Sequence, residues 1–213
     1  TNLIQLFNKK EVVEIPNLIS EKSISYDSNI NNKKKYILYL GRLDKKKGID
    51  ILIKSFSKNG SQSFTLKIAG QINEYKKELD LLINRLGINT RVEFLGMVSG
   101  VKKDELIRNA FVLVAPSHSE VIGMVNLEAA ILNTPVITTF QTGLNPLWNK
   151  NGGLLINPNE LELDNALQEV LLWSKEEREK NGAKLQEFVI NNYSWEKRFK
   201  DWLNLYKTCV YEK

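Results

Sequence analysis

The sequence predicts an α/β fold: a parallel sheet of about six strands flanked by helices, with a helical extension at the C-terminus. Three observations carry this. Apolar runs of strand length recur along the chain and read as strands buried on both faces. Segments of helical length and spacing separate them. Polar, glycine-containing loops follow two of the runs, at the strand ends where open α/β sheets hold ligands.

Residues 1–17 hold an amphipathic start and then Glu11-Val12-Val13-Glu14-Ile15-Pro16-Asn17, a short strand stopped by proline. Residues 18–35 are polar, end in Lys33-Lys34-Lys35, and read as a linker or loop. The first clear strand, 36–40, runs into Gly41-Arg42-Leu43-Asp44-Lys45-Lys46-Lys47-Gly48. A helix follows, with Ile49, Leu52, Ile53 and Phe56 at helical spacing. Residues 64–70 form the second strand, and a helix over 74–86 ends at Gly87, a helix-stopping residue. Residues 91–96 form the third strand, 102–109 a short helix and 111–115 the fourth strand. A loop, a helix-compatible stretch from about Gly123, and a fifth strand at 135–139 come next. Residues 152–158 read as a turn and a sixth strand. The remainder is helical, over about 160–173, 175–191 and from Ser194 onward, where the serine suits an N-cap. In that last helix Trp195, Phe199, Trp202 and Tyr206 fall on one face, to pack on this domain or on another.

Composition bounds the function. With 213 residues and 42% hydrophobic content, the chain suits one large domain with appendages. No apolar run approaches the ~20 residues of a membrane span. Thr1-Asn2-Leu3-Ile4 does not resemble a secretory signal, and the start without Met is expected of a piece of a longer protein. A single cysteine, Cys209, excludes an internal disulfide and is consistent with a reducing cytoplasm. With His118 as the only histidine, a His/Cys metal cluster within the chain is excluded too. The net charge of +5 suits an anionic ligand, an anionic membrane surface, or simply a lysine-rich solvated surface. No interleaved basic and aromatic pattern of an RNA binder is present.

Two loops carry chemistry. Strand, basic glycine loop and helix at 36–56 is phosphate-binding geometry, in which Arg42 can grip phosphate oxygens and Lys47 add a point charge. The second runs from Pro116 through Glu120 and Gly123 to Glu128. Its backbone N–H groups at the helix start suit hydroxyl or phosphate oxygens, and Gly123 allows close approach. Glu120 and Glu128, with seven residues between them, suit a polyol, since a carboxylate accepts from two neighbouring hydroxyls. The plain alternatives are a dipole-favoured acid at a helix start for Glu120, a solvated position for Glu128, and surface charge for Lys45 and Lys46.

The second loop resembles the glutamate–seven–glutamate motif of the GT4 family of retaining glycosyltransferases with the GT-B fold, which often reads P-S-x-x-E-G-F-G-x-x-x-L-E-A-x-A-x-G-x-P-V. Pro116, Ser117, Glu120, Gly123, Leu127, Glu128, Ala129, Pro135 and Val136 stand in the matching places. The chain departs at Val121-Ile122, where Gly-Phe is usual, and at Asn133-Thr134, where a glycine is usual. Gly41-Arg42-Leu43 with Lys47-Gly48 matches a second motif of that family, G-R-L followed by K-G.

The resemblance implies the C-terminal, donor-binding, Rossmann-like half of a GT-B enzyme. Residues 1–32 would be the end of a missing N-terminal domain and a linker, 33–192 the nucleotide-sugar-binding domain, and 193–213 the terminal amphipathic helix, which crosses back onto the N-terminal domain in that fold. It implies transfer of a sugar from a UDP- or GDP-linked donor to an acceptor glycan or glycolipid, with retention and without a metal or other cofactor. Arg42 and Lys47 would grip the diphosphate, Glu120 would face the donor sugar, and Glu128 would hold the ribose hydroxyls. These catalytic residues, Glu120, Arg42 and Lys47, would be joined in donor binding by Gly41, Gly123, Met124, Val125 and Met97. Met97 follows the third strand near the base, or is packing filler. Gly143 stands alone where a glycine-rich loop is usual, with Thr142 and Leu144 as backbone-contact candidates. Surface polysaccharide or lipopolysaccharide synthesis, in the cytoplasm or at the inner membrane face by peripheral association, is the implied setting. A non-catalytic nucleotide-sugar binder, a GT-B epimerase or phosphorylase, and a basic anion binder are the other readings, and fold alone does not separate them.

Overall fold

A computed structural model of the protein describes residues 15–21, 35–59 and 63–211. The amphipathic start, most of the strand expected before Pro16 and most of the expected linker lie outside the described residues. Six strands form one parallel sheet: β1 (Tyr36–Leu40), β2 (Thr65–Ala69), β3 (Val92–Gly96), β4 (Val112–Ala115), β5 (Val136–Thr139) and β6 (Leu154–Ile156). Their order is β3-β2-β1-β4-β5-β6. Between them run α1 (Ile49–Asn59), α2 (Tyr75–Arg85), α3 (Gly100–Asn109) and α4 (Met124–Ile131). Then come α5 (Glu160–Leu171), α6 (Lys175–Tyr193) and α7 (Trp195–Tyr211). The elements expected from residue 36 onward are present, with ends moved by a residue or two.

Strand residues alternate between two cores. Ile37 and Tyr39 join Leu66, Ile68, Val112 and Val114 on the face packed by α1 and α5. Tyr36 and Leu38 join Leu113, Ala115 and Val136 on the other, beneath α4 and α6. A strand with both faces covered has little place for polar side chains, which is why the central runs at β1 and β4 are apolar. The order has one reversal: the chain leaves β1 toward β2 and β3, then returns to place β4 on the other side of β1. A crevice opens between the loops after β1 and β4, at the sheet's carboxyl edge.

Glycines allow those loops to touch. Gly48 has φ +67°, and a Cβ there would sit 2.3 Å from the carbonyl oxygen of Pro116. Behind them, a Cβ on Gly70 would lie 1.9 Å from the Gly41 carbonyl oxygen. Asn133, where the resembled motif carries glycine, is left-handed with φ 60°. Asparagine tolerates that conformation better than most side chains, so the departure keeps the turn.

The chain ends differ from a plain linker and helix. Leu18 and Ile19 are buried. The Ile19 N–H donates to the Tyr193 carbonyl at 2.8 Å, and the Trp195 N–H to the Ile19 carbonyl at 3.0 Å. The segment thus docks on the α6–α7 junction, and two apolar residues at the head of a polar stretch account for it. Ser194 caps α7, accepting from the Lys197 N–H at 3.2 Å. The aromatic face of α7 is largely open: Phe199 is 55% and Tyr206 62% exposed. Its rings stack along the helix, Trp195 on Trp202 and Trp202 on Tyr206, each at 6.2 Å. At the β6 edge the Asn149 side chain bonds both backbone groups of Leu155.

Replacing Gly48 with alanine is expected to destabilise the fold by about 2–4 kcal/mol, from strain and collision together. Urea unfolding measures it. An unchanged midpoint would mean that the loops after β1 and β4 do not press on each other.

Candidate functional site

The loop after β1 is drawn into shape by its own groups. The Gly41 N–H donates to the Ala69 carbonyl at 2.9 Å. The Tyr39 hydroxyl donates to the Arg42 carbonyl at 2.7 Å. Burial, followed by the negative charge of Glu120, holds the Tyr39 phenol well above the usual tyrosine range, so it stays a donor. Asp44 then accepts from the Lys46 N–H at 2.8 Å and starts one turn of 3-10 helix over Lys45–Lys47. Lys45 and Lys46 are exposed, whereas Lys47 is turned back into the crevice and pairs with Glu120.

The loop after β4 leans on both neighbours. The His118 N–H donates to the Lys46 carbonyl at 2.8 Å, and the Glu120 N–H to the Gln141 carbonyl at 3.2 Å. The buried Thr139 hydroxyl donates to the Ser117 carbonyl at 2.6 Å. Gly143, with φ +65°, passes so close that a Cβ would meet the Val121 carbonyl oxygen at 2.7 Å. α4 then begins after Gly123 with no side-chain cap. The Asn126 N–H already donates to the Gly123 carbonyl at 2.8 Å, while the N–H groups ahead of it, as at any helix start, suit an anionic or hydroxyl oxygen.

These loops enclose a cavity of about 310 Å³. Gly41, Arg42, Lys47, Glu120, Gly123, Met124 and Val125, all singled out from sequence, line it. Tyr39, Leu40, Ala115, Ser117, Ile122, Asn126 and Thr142 complete the walls. Thr142 is therefore at the cleft, while Leu144 is buried in the core below α4. Met97 and Glu128 do not line the cavity. Met97 is 71% exposed just past β3. Glu128 sits one helical turn beyond Met124, where it pairs with Lys103 of α3 at 2.9 Å. A larger hollow of about 470 Å³ lies along β6, lined by Asn149, Gly152, Trp173 and Lys184 among others. It contains none of these residues and sits away from the reversal in strand order, so size is a poor guide here.

The two motif carboxylates are each held by a lysine. The Lys47–Glu120 pair is the more enclosed, with side chains 15% and 25% exposed, against 27% and 30% for Lys103 and Glu128. One small space thus brings together cations, helix-start N–H groups and a carboxylate. That set fits a ligand with an anionic part and a hydroxyl-bearing part, the first held by charge and the second by directed hydrogen bonds. Among the described residues no cluster of three or more His, Cys, Asp or Glu is placed to hold a metal ion, and no helix is long and apolar enough to cross a membrane.

Comparison with known proteins gives the chain its family. Residues 20–198 match the family model of glycosyl transferases group 1. A glycosyltransferase of Methanocaldococcus jannaschii, MJ1607, itself uncharacterized, is 32% identical over 205 residues, covering 91% of this chain and 50% of the relative. The Staphylococcus aureus capsular polysaccharide biosynthesis glycosyltransferase CapM is 30% identical over 179 residues, 82% of this chain and 46% of the relative. The crystal structure of Anabaena HepE in complex with UDP and glucose superposes with a TM-score of 0.72 at 21% identity, over 83% of this chain and 49% of that one. The fold is thus that of the glycosyltransferase neighbours, and the chain belongs to the glycosyl transferases group 1 family. It spans about half the length of the relatives it matches.

Sequence reasoning passed over Lys103 and Asn126. Lys103 belongs to a Lys102-Lys103 doublet that reads as solvated surface. Asn126 carried a signal: it is the one uncharged polar residue in α4, between Val125 and Leu127. It is fully buried, and neither polar atom of its amide has a hydrogen-bond partner.

If the Lys47–Glu120 pair is a real interaction, Lys47→Met and Glu120→Gln will not be additive in stability. A double-mutant cycle by chemical denaturation is expected to return a coupling of about 1 kcal/mol. Full additivity would show that the two side chains do not stabilise each other.

Proposed function

We propose that this chain is the donor-binding half of a retaining glycosyltransferase of the GT4 type with a GT-B fold. It takes a nucleotide-diphosphate sugar, UDP- or GDP-linked, and passes the sugar to an acceptor glycan or glycolipid held by a further domain. The observation that carries the reading is the meeting of the Arg42–Lys47 loop and the Glu120–Gly123 loop at the reversal in strand order. Membership of the family supports it, as do a neighbour solved with UDP and glucose and a relative named for capsular polysaccharide synthesis.

The chemical task is to let a nucleoside diphosphate leave a sugar carbon. Charge grows on the departing phosphate oxygens, and groups already aimed at them lower the barrier most. Arg42, Lys47 and the α4 N–H groups do this, in place of a metal ion. Lys47 pairs with Glu120 across the cleft. An arriving diphosphate competes for that lysine and frees the carboxylate to orient the sugar. Glu120 is thus a donor-positioning residue rather than a covalent nucleophile. Glu128, outside the small cavity, receives the ribose hydroxyls, and Met97 lies on the base side. The full protein works on surface polysaccharide or lipopolysaccharide, at the cytoplasmic face of a membrane that it meets peripherally.

Titration calorimetry with UDP, GDP and ADP tests the reading. One diphosphate is expected to bind selectively, and Arg42→Ala and Glu128→Ala each to weaken it by about tenfold or more, the loss of a hydrogen bond to a charged group. EDTA is expected to leave binding unchanged. Binding to any polyanion without base preference, falling steeply with salt, would replace the donor site by a general anion surface.

A further inference from the structure

We infer that Asn126 is a sugar-recognition residue of the cleft, taking a hydroxyl of the transferred sugar through its side-chain amide. The inference rests on the donor-site reading above and deepens it.

Asn126 is completely buried, yet its Nδ2 and Oδ1 have no hydrogen-bond partner. Buried amides are nearly always satisfied, because burying one unpaired costs free energy. Two hydroxyls of the same cleft wall have committed their protons elsewhere. The Tyr39 hydroxyl donates to the Arg42 carbonyl, and the Thr142 hydroxyl to the Thr139 carbonyl. The amide points back along α4 toward Gly123, where a Cβ would stand 2.5 Å from its Nδ2 and 3.7 Å from the Cγ of Glu120. The missing side chain at Gly123 therefore leaves the amide directly behind the cavity wall, beside Glu120.

The chemistry of the unmet groups selects the ligand part. An amide presents a donating NH2 group and an accepting carbonyl oxygen whichever way it is turned. A diphosphate has only acceptors and would be repelled by the amide oxygen. A sugar hydroxyl both donates and accepts, and so suits either end of the amide. A buried amide with both ends open, next to a carboxylate, thus fits a hydroxyl of the sugar and not the phosphates.

The test compares UDP with UDP-glucose, and GDP with GDP-mannose, by titration calorimetry on the wild-type chain, Asn126→Ala, Asn126→Leu and the control Arg42→Ala. The wild type is expected to bind one sugar nucleotide more tightly than its bare diphosphate. Asn126→Ala is expected to weaken that sugar nucleotide about tenfold and its diphosphate by less than about twofold. Asn126→Leu removes an unpaired amide at similar volume. It is expected to raise the unliganded thermal midpoint by about 2–4 °C while losing the sugar increment. Equal losses for diphosphate and sugar nucleotide, or no loss, overturn the inference, as does a lowered midpoint for the leucine variant. So does a wild type for which no sugar adds affinity. If the diphosphates bind and Arg42→Ala abolishes that binding while the sugar increment survives Asn126→Ala, the inference alone fails. If the wild type binds none of the four nucleotides, it falls together with the donor-site reading.

Discussion

The structure hangs on one close approach, the loop after β1 pressed on the loop after β4. Glycine at position 48 removes the side chain that would hold them apart, and the His118 N–H to Lys46 carbonyl bond ties them. Each loop alone would be a solvated turn on a strand end. Held together at the point where the strand order reverses, they become two walls of one cleft. The sheet supplies the rigidity. β1 and β4 lie side by side, covered on both faces, so the relative position of the two loops follows from a register that the core enforces.

Within that frame, electrostatics decides what the cleft does when empty. A partly enclosed lysine facing α4's uncapped start would meet only positive partial charge. Glu120 offsets it. The same carboxylate, with burial, keeps the Tyr39 phenol protonated and bonded to the Arg42 backbone. One acid thus organises a cation, a hydroxyl and a loop. Glu128 stands in a second such arrangement with Lys103, farther along α4. The two motif carboxylates are therefore held separately, one at the cavity and one outside it.

Much of the fold was legible because strands buried on both faces are largely apolar. Val112 to Ala115 announces itself for that reason, as does Val136-Ile137 ahead of the two threonines whose buried hydroxyls bond to the Ala115 and Ser117 carbonyls, and the loops that follow could be placed without knowing any contact. Individual partners were not legible. The lysine doublet at 102–103 looks like surface until α3 and α4 are packed, and only then does Lys103 find Glu128. Leu18 and Ile19 disappear in a polar stretch, although their burial docks the chain on α6 and α7. Met97, placed near the base by resemblance, stands exposed just past β3 and outside the small cavity. Asn133 runs the other way. It reads as a broken motif, and its φ of 60° explains why asparagine can stand in for glycine.

At the far edge of the sheet, Asn149 bonds both the N–H and the carbonyl of Leu155, occupying the groups that a seventh strand would have used. A single side chain so imitates a neighbour. An open strand edge is a template on which another molecule's strand can grow, and aggregation often begins there. With Leu155 already satisfied, β6 offers an incoming strand no continuous ladder, and a domain that must persist at cellular concentration keeps that edge from polymerising.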